Sequence, residues 1–328
     1  QGLSSPSTPS LLHTRFIFRM KSAVIDEKVG EEIKQVEIDA LVILQIMKHC
    51  RQHVPHPVTG QLLGLDVDDT LQVTHCFGYV QKNSEEAGQH TADDGEQYQM
   101  EMLRRLREVN VDSNTVGWYQ TTHLGQFFSD TVIQTQYEYQ IQIPRTILLV
   151  YDPLQSAIGK PSFKAFRLTP AFMAKHTEAR DANSSALNDF NSADMFMEIP
   201  ISINSPVIVE SFLLDWCISD PIGTTTQLDT LDVENQAFVE KNVQLLISSL
   251  QDLAEEQNKL QMHERNQARG GGKGGGKGKW GGGPPRQLDT MILSQQIQNY
   301  CKQINDFAGD SFGKLFLLSN KPAGSQGA

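Results

Sequence analysis

Residues 269–286, RGGGKGGGKGKWGGGPPR, restrict the folding options of this chain more than any other stretch. Glycine leaves the backbone too free to order without many contacts, so the run reads as a flexible tether. Whatever follows it must dock on something or hold its shape alone. The tether carries Arg269, Lys273, Lys277, Lys279 and Arg286, no acidic residue and a single Trp280. Charge with one stacking ring suits weak RNA contact through Lys273, Lys277 and Lys279. A solvated linker held extended by its charges is the plainer reading.

After the tether, Leu293, Ile297, Tyr300, Ile304, Phe307 and Ala308 fall at helical spacing behind a cap at Asp289 or Thr290. A lone amphipathic helix is marginal in water, so this one needs a partner. Before the tether, from Glu234 to about His263, Val239, Val243, Leu246, Leu250, Leu253 and Leu260 step by fours and threes, with Gln257 in the missing place. That seam also wants a helix beside it. The two stripes either pack on each other or enter a bundle formed with other subunits.

Upstream lies enough chain for one sizeable core. KQVEIDALVILQIMKHCRQ alternates at Val36 and Ile38 as a strand does, then passes through Asp39, an N-cap, into a helix carrying Leu41, Leu44, Ile46 and Met47. VTGQLLGLDVDDTLQVTHCFGYV reads as two strands around a turn at Asp66–Thr70, with Gly60 and Gly64 in the first arm. QKNSEEAGQHTADDGEQ reads as a surface loop, and Tyr98–Val109 as a helix through Met102, Leu103 and Leu106. Val116–Tyr119 is a strand, QTQYEYQIQIP a helix stopped by Pro144, TILLVYDP a buried strand, and SFKAFRLT one more. Further on, MFMEIPISIN reads as a strand and SPVIVESFLLDWCISD as an apolar helix with Pro206 at its start. The expected class is α/β or α+β, a mixed sheet flanked by helices and followed by a helical extension. The expected divisions are a loose segment over 1–33, a core domain over 34–170, a strand with helices over 171–268, the tether, a terminal helix over 287–318, and a tail over 319–328.

The balance of 28 basic against 39 acidic residues, a net charge of -11, excludes a protein whose whole surface grips nucleic acid. Cys50, Cys76, Cys217 and Cys301 are far apart with no CxxC pair, so neither a disulfide framework nor a zinc ribbon is indicated. No apolar run approaches the roughly 20 residues that span a bilayer, so no membrane association is expected. The cytoplasm is the expected compartment.

Catalytic motifs are sparse. GxSxG is absent, and GGGKGGGKGK lacks the hydroxyl residue after lysine and the preceding strand that a phosphate-binding loop needs. In HCRQHVPH, His49 and His53 lie one helical turn apart, the spacing of a metal-binding pair, but Pro55 and Pro57 end the helix and no acid stands nearby in sequence. Packing at a helix end is the better account of them.

The order helix, GQLLG hairpin, helix, VGWY strand, polar loop, helix, TILLVYDP and FKAFRLT resembles the MPN domain over about residues 34–170. The resemblance implies a test, because active members of that family are zinc isopeptidases. Two histidines and an aspartate hold the metal, a glutamate moves the proton of its water, and a serine steadies the oxyanion. The ligand positions correspond here to Gln120, Thr122 and Ile133, the serine to Thr121, the proline after the second ligand to His123, and the glutamate to Pro57. Gln and Thr bind zinc far more weakly than imidazole, Ile133 has no ligand atom, and Pro57 cannot act as a base. Sliding the alignment brings in only His123 and Asp130. The resemblance therefore implies an inactive member, with no enzyme activity, no metal and no cofactor.

VGWYQTT, LLVYDPLQSAIGKPSFKAFRLTPAFM, KNVQLLISSL and MILSQQIQNYCKQINDFAGDSFGKLF are, more narrowly, similar to the family of MPN subunits found in eukaryotic translation initiation factor three, and within it to the H type. That resemblance implies a scaffold acting in translation initiation at the small ribosomal subunit. It would pair with another MPN subunit and lend its C-terminal helices, through Val239, Val243, Leu246, Leu250, Leu253, Leu293, Ile297, Tyr300, Ile304 and Phe307, to a bundle with PCI-domain subunits. A non-catalytic MPN subunit of the proteasome lid or signalosome is the alternative; a zinc isopeptidase is the second.

Overall fold

Asp39 closes strand β1 (Gln35–Asp39) and opens helix α1 (Ala40–His53). Its carboxylate accepts the Leu41 N–H at 3.4 Å, taking up an amide that the first turn leaves without a partner. The computed structural model describes residues 33–79, 92–157, 162–182, 190–219, 236–269 and 287–319. The chain divides into two compact units, one drawn from residues up to Ala174 with Met195–Asp220, the other from Lys175–Asp194 with the residues from Pro221 onward.

In the first unit α1 packs on strand β3 (Thr70–Gly78). Val42, Ile46 and Cys50, spaced by four, form the face that goes inward. Leu41 and Leu44, expected in that face, are exposed instead, because a helix lying on a sheet can bury only one stripe.

Strand β2 (Thr59–Val67) and β3 form the expected hairpin. Asp68 makes the tight turn at φ 51°, a left-handed conformation that a short polar side chain tolerates. Gly64 sits at a bulge, where an added Cβ would run into the backbone carbonyl of Gln72. Arg145 reaches Asp66 at 2.9 Å and ties the hairpin to the end of helix α3 (Asp130–Gln142). Helix α2 (Ala92–Glu108) begins six residues before the expected start at Tyr98 and takes in part of the expected surface loop.

Strand β4 (Thr115–Thr121) pairs with β2 and runs parallel to β5 (Ile147–Tyr151), with α3 as the crossover. Strand β5 is buried along its whole length, as a central strand covered on both faces must be. A short helix α4 (Pro153–Ala157) leads to β6 (Phe163–Leu168), and α5 (Pro170–Ala182) follows, neither helix having been expected. Thr169 starts α5 by accepting the Phe172 N–H at 3.3 Å, with Pro170 at the first helical position.

MFMEIPISIN is a correction to the single strand expected there. It forms two strands, β7 (Phe196–Ile199) and β8 (Ile201–Asn204), which occupy opposite edges of one eight-stranded mixed sheet of order β7-β6-β5-β4-β2-β3-β1-β8. Pro200 alone separates them, so the sheet curls until its two edges meet at one residue. Proline has no N–H to give a ladder, while its carbonyl accepts the Val36 N–H at 3.0 Å. Helix α6 (Val207–Ser219) closes the unit.

The second unit contains a 3₁₀ turn at Ser192–Asp194 and two long helices, α7 (Gln236–Arg269) and α8 (Gln287–Ser319). The turn packs on α8, with the Ser192 hydroxyl donating to Ser294 at 3.0 Å, and α7 packs along α8. Helix α8 starts at Gln287, ahead of the expected cap, which puts Asp289 inside the first turn. No helix among the described residues is long and apolar enough to cross a membrane. The N-terminal segment and the tether, with Lys273, Lys277, Lys279 and Trp280, lie outside the described residues.

Candidate functional site

Of the positions expected to correspond to zinc ligands, Gln120 lies at the end of β4, Thr122 just beyond it and Ile133 on α3. Thr59 of β2 stands opposite Gln120, so Pro57 enters β2 beside the Gln120–Thr122 edge. The sheet thus brings together Pro57, Gln120, Thr121 and Thr122.

These residues are spent on structure. The buried Thr121 hydroxyl accepts the Val58 N–H at 2.7 Å and faces the Val58 carbonyl at 3.3 Å, joining two strand ends. The Thr122 N–H donates to the Tyr151 carbonyl at 2.8 Å; its hydroxyl is buried and meets no hydrogen-bond partner among the described residues. Ile133 lies on α3 and is fully buried. Gln120 is half-buried, while Pro57 and His123 face solvent. Asp130 stands in the first turn of α3, next to Ser129, whose hydroxyl caps the helix by accepting the Val132 N–H at 3.3 Å. Among the described residues no group of three His, Cys, Asp or Glu could hold a metal ion. The donor set therefore does not fit zinc: one face is hydroxyl and amide, the other hydrocarbon.

Asp152, at the end of β5, organises the loop after β4. One carboxylate oxygen accepts the Gly125 N–H and the other the Leu154 N–H, both at 3.0 Å. Burial raises its pKa, and the N–H groups pointing at it oppose that rise. Gly125 and Leu124 both have positive φ, so the loop turns sharply where the carboxylate holds it. Beyond it, Phe166, Phe127, Phe128 and Phe196 pack in that order as tilted rings with successive centroids 5.1, 4.0 and 5.3 Å apart, ahead of α3. Asp152 is a residue that motif reasoning missed, since aspartate before proline reads as a turn signal.

The histidine cluster resolves into packing. His49 Nδ1 lies 2.7 Å from the Tyr119 hydroxyl, and the His53 ring stands edge-on to it at 4.8 Å. Burial, then the neighbouring His53, lowers the His49 pKa. Burial pushes the Cys76 thiol up to about 12, which keeps it protonated and inert.

The interaction surfaces differ from those expected. On α7, Val243 and Leu250 are exposed and Val239, Leu246 and Leu253 half-buried; Ile247, not in the expected stripe, is exposed as well. On α8, Leu293, Ile297 and Ile304 are half-buried. Tyr300 is fully buried and Phe307 stacks 6.1 Å from Phe238 of α7, so both serve the unit's own packing where a partner contact was expected. The helix ends instead expose Phe312, Leu315 and Phe316. The most open apolar surface lies on α6 of the first unit, where Val207, Ile208, Phe212, Leu214, Trp216 and Ile218 all face solvent, Ile208 at 84% exposure. A helix apolar on every side is a buried helix.

Comparison with known proteins follows the same division. Residues 31–145 match the family model described as JAB1/Mov34/MPN/PAD-1 ubiquitin protease, and residues 156–273 match the C-terminal region of eIF3h. The chain is 35% identical to the H subunit of eukaryotic translation initiation factor 3 from Dictyostelium discoideum, covering 90% of this chain and 97% of that protein. It is 34% identical to the corresponding protein of Arabidopsis thaliana over 89% of this chain and 94% of that one, and 33% identical to that of Xenopus tropicalis over 87% and 92%. An MPN domain that runs into this C-terminal region, matched over nearly the full length of such distant relatives, places the chain in the eIF3h family of translation initiation factor 3 subunits.

Proposed function

We propose that this chain is a non-catalytic scaffold of initiation factor 3. Its MPN domain pairs with a second MPN subunit, and α7 and α8 join a helical bundle with PCI-domain subunits. The assembly supports initiation at the small ribosomal subunit in the cytoplasm. The observation that carries the reading is the exposure of α6. Six large apolar side chains on one 13-residue helix are a liability in a free protein and an asset in a larger assembly. Leu41 and Leu44 on α1 add to the apolar surface of the same unit. Val243, Ile247 and Leu250 supply the outward stripe for the bundle. The absence of a zinc donor set at Gln120, Thr122 and Ile133 supports the non-catalytic half of the reading.

Native pull-down of the tagged chain, with partners identified by mass spectrometry, tests it. Initiation-factor subunits together with small-subunit ribosomal proteins are expected. Proteasome-lid or signalosome subunits in their place would overturn it, as would cleavage of a ubiquitin chain with stoichiometric zinc. Two variants separate the surfaces. Phe212→Asp with Trp216→Asp is expected to release the MPN partner, and Ile247→Asp with Leu250→Asp to release the helical partners, each leaving the core folded.

A further inference from the structure

The first unit meets the side-chain oxygens of three buried glutamines. Trp118 Nε1 donates to Gln136 Oε1 at 2.8 Å, the Leu168 N–H to Gln140 Oε1 at 2.8 Å, and Gln99 Nε2 to Gln61 Oε1 at 2.5 Å. The second unit buries amides as deeply and leaves their oxygens dry. Asn242 of α7 and Gln303 of α8 are 1% and 7% exposed, and neither Asn242 Oδ1 nor Gln303 Oε1 has a hydrogen-bond partner among the described residues. The Asn242 amide nitrogen turns back on its own helix, donating to the Phe238 carbonyl at 2.9 Å. Each amide stands one helical turn from the stack of Phe238 on Phe307 that joins the two helices.

Aliphatic side chains of α7 are turned the other way. Val243, next to Asn242, is 37% exposed, and Ile247 and Leu250 are 50% and 47% exposed. A helix that seals its asparagine and leaves its aliphatic stripe in water gains less from pairing than its composition allows. The dry oxygens act on the balance between closed and parted helices. Each costs the closed pair free energy and costs nothing once water reaches it, so each makes parting easier by about tenfold or more. The stacked rings oppose parting, which makes the open form a minor state of a two-state element.

We infer that the pairing of α7 with α8 is a clasp that opens. It parts while the sheet of the first unit stays folded, returning Asn242 and Gln303 to water and freeing the faces that α7 and α8 bury in each other for a helix of another subunit. The opening does not depend on the scaffold reading; the uptake of a partner helix does. Moving parts of this kind are drawn from regions that open below the free energy of global unfolding.

Amide hydrogen exchange read by mass spectrometry tests the opening, on the full chain purified alone. Peptides from 236–250 and 296–310 are expected to exchange at least about tenfold faster than peptides covering β5. Asn242→Leu with Gln303→Leu is expected to slow the α7 and α8 peptides by about a hundredfold, roughly tenfold for each oxygen removed, with β5 unchanged. Equal protection of the helices and β5 in the unaltered chain would overturn the clasp. So would a double variant that loses helical signal or whose helices exchange no more slowly. Asn242→Asp works in the opposite direction: a charge at a dry position is expected to speed exchange in the same peptides. Unchanged exchange in that variant would mean that the position is already wet, and would also overturn the clasp.

Uptake is read separately, by native pull-down of the double variant. It is expected to recover fewer helical partners than the unaltered chain and as much of the MPN partner. Full recovery of both alongside slowed exchange would overturn the role in uptake while the opening stands. Failure of the unaltered chain to recover initiation-factor subunits would overturn the scaffold reading, and with it the uptake.

Discussion

His49 Nδ1 and the Tyr119 hydroxyl lie 2.7 Å apart, and the imidazole of His49 occupies the space that a side chain on Gly78 would fill. The end of α1, the middle of β4 and the end of β3 are thereby pinned at one point. Because burial lowers the His49 pKa, the fold prefers the neutral ring. A base depressed in the folded state contributes stability above its unfolded pKa of about 6.5 and loses it as pH falls through the folded value. The melting temperature of the chain is expected to fall between pH 7 and pH 5.5. His49→Gln is expected to flatten the part of that fall assigned to this ring, read as a smaller difference between the two pH values.

Asp152 has the opposite sign. Its carboxyl holds a proton more tightly in the fold than in the unfolded chain, so its contribution is full below the unfolded pKa and is lost as pH rises through the folded one. Asp152→Asn removes this titration, and an amide can accept with only one of its two terminal atoms. The variant is expected to lose about 1 to 3 kcal/mol at pH 7 through the amide left without an acceptor. Faster hydrogen exchange at Gly125 or Leu154 checks it.

Thr121→Val keeps the shape of a residue on β4 and removes the hydroxyl that meets Val58. The Val58 N–H is left dry in the sheet, at a cost of about 2 kcal/mol. Chemical denaturation is expected to show an earlier midpoint with an unchanged slope.

Ile133→Asp puts a carboxyl at a position with no access to water. It is expected to cost about 3 kcal/mol or more, since neither the transfer of Ile nor the burial of a carboxyl is compensated. Adding zinc to this single variant is expected to return none of the lost melting temperature. Recovery by zinc would mean that a ligand set persists around α3.

Gly64→Ala drives a methyl into the Gln72 carbonyl at the bulge of the hairpin. The expected loss is about 2 kcal/mol, seen as a melting temperature lower by about 4 to 8 °C.

Much of this architecture is legible in residue order because it depends on near neighbours. Asp39 caps α1 from one position away, the Val36 and Ile38 alternation is local to β1, and the β2–β3 hairpin folds around its own turn. That Gln120, Thr122 and Ile133 supply neither two imidazoles nor a carboxylate is equally a matter of residue types.

Tertiary structure decided what depends on distant partners. Residues 196–204 read as one strand because both halves alternate alike, and only the curl of the sheet sends β7 and β8 to opposite edges across Pro200. Helical spacing shows that α7 and α8 carry apolar stripes, but not which side each turns to the other. The register set by Phe238 and Phe307 places Asn242 and Gln303 inside and leaves Ile247 and Leu250 facing out. Periodicity counts hydrophobic side chains along one helix, whereas burial is settled by the element that arrives from elsewhere in the chain.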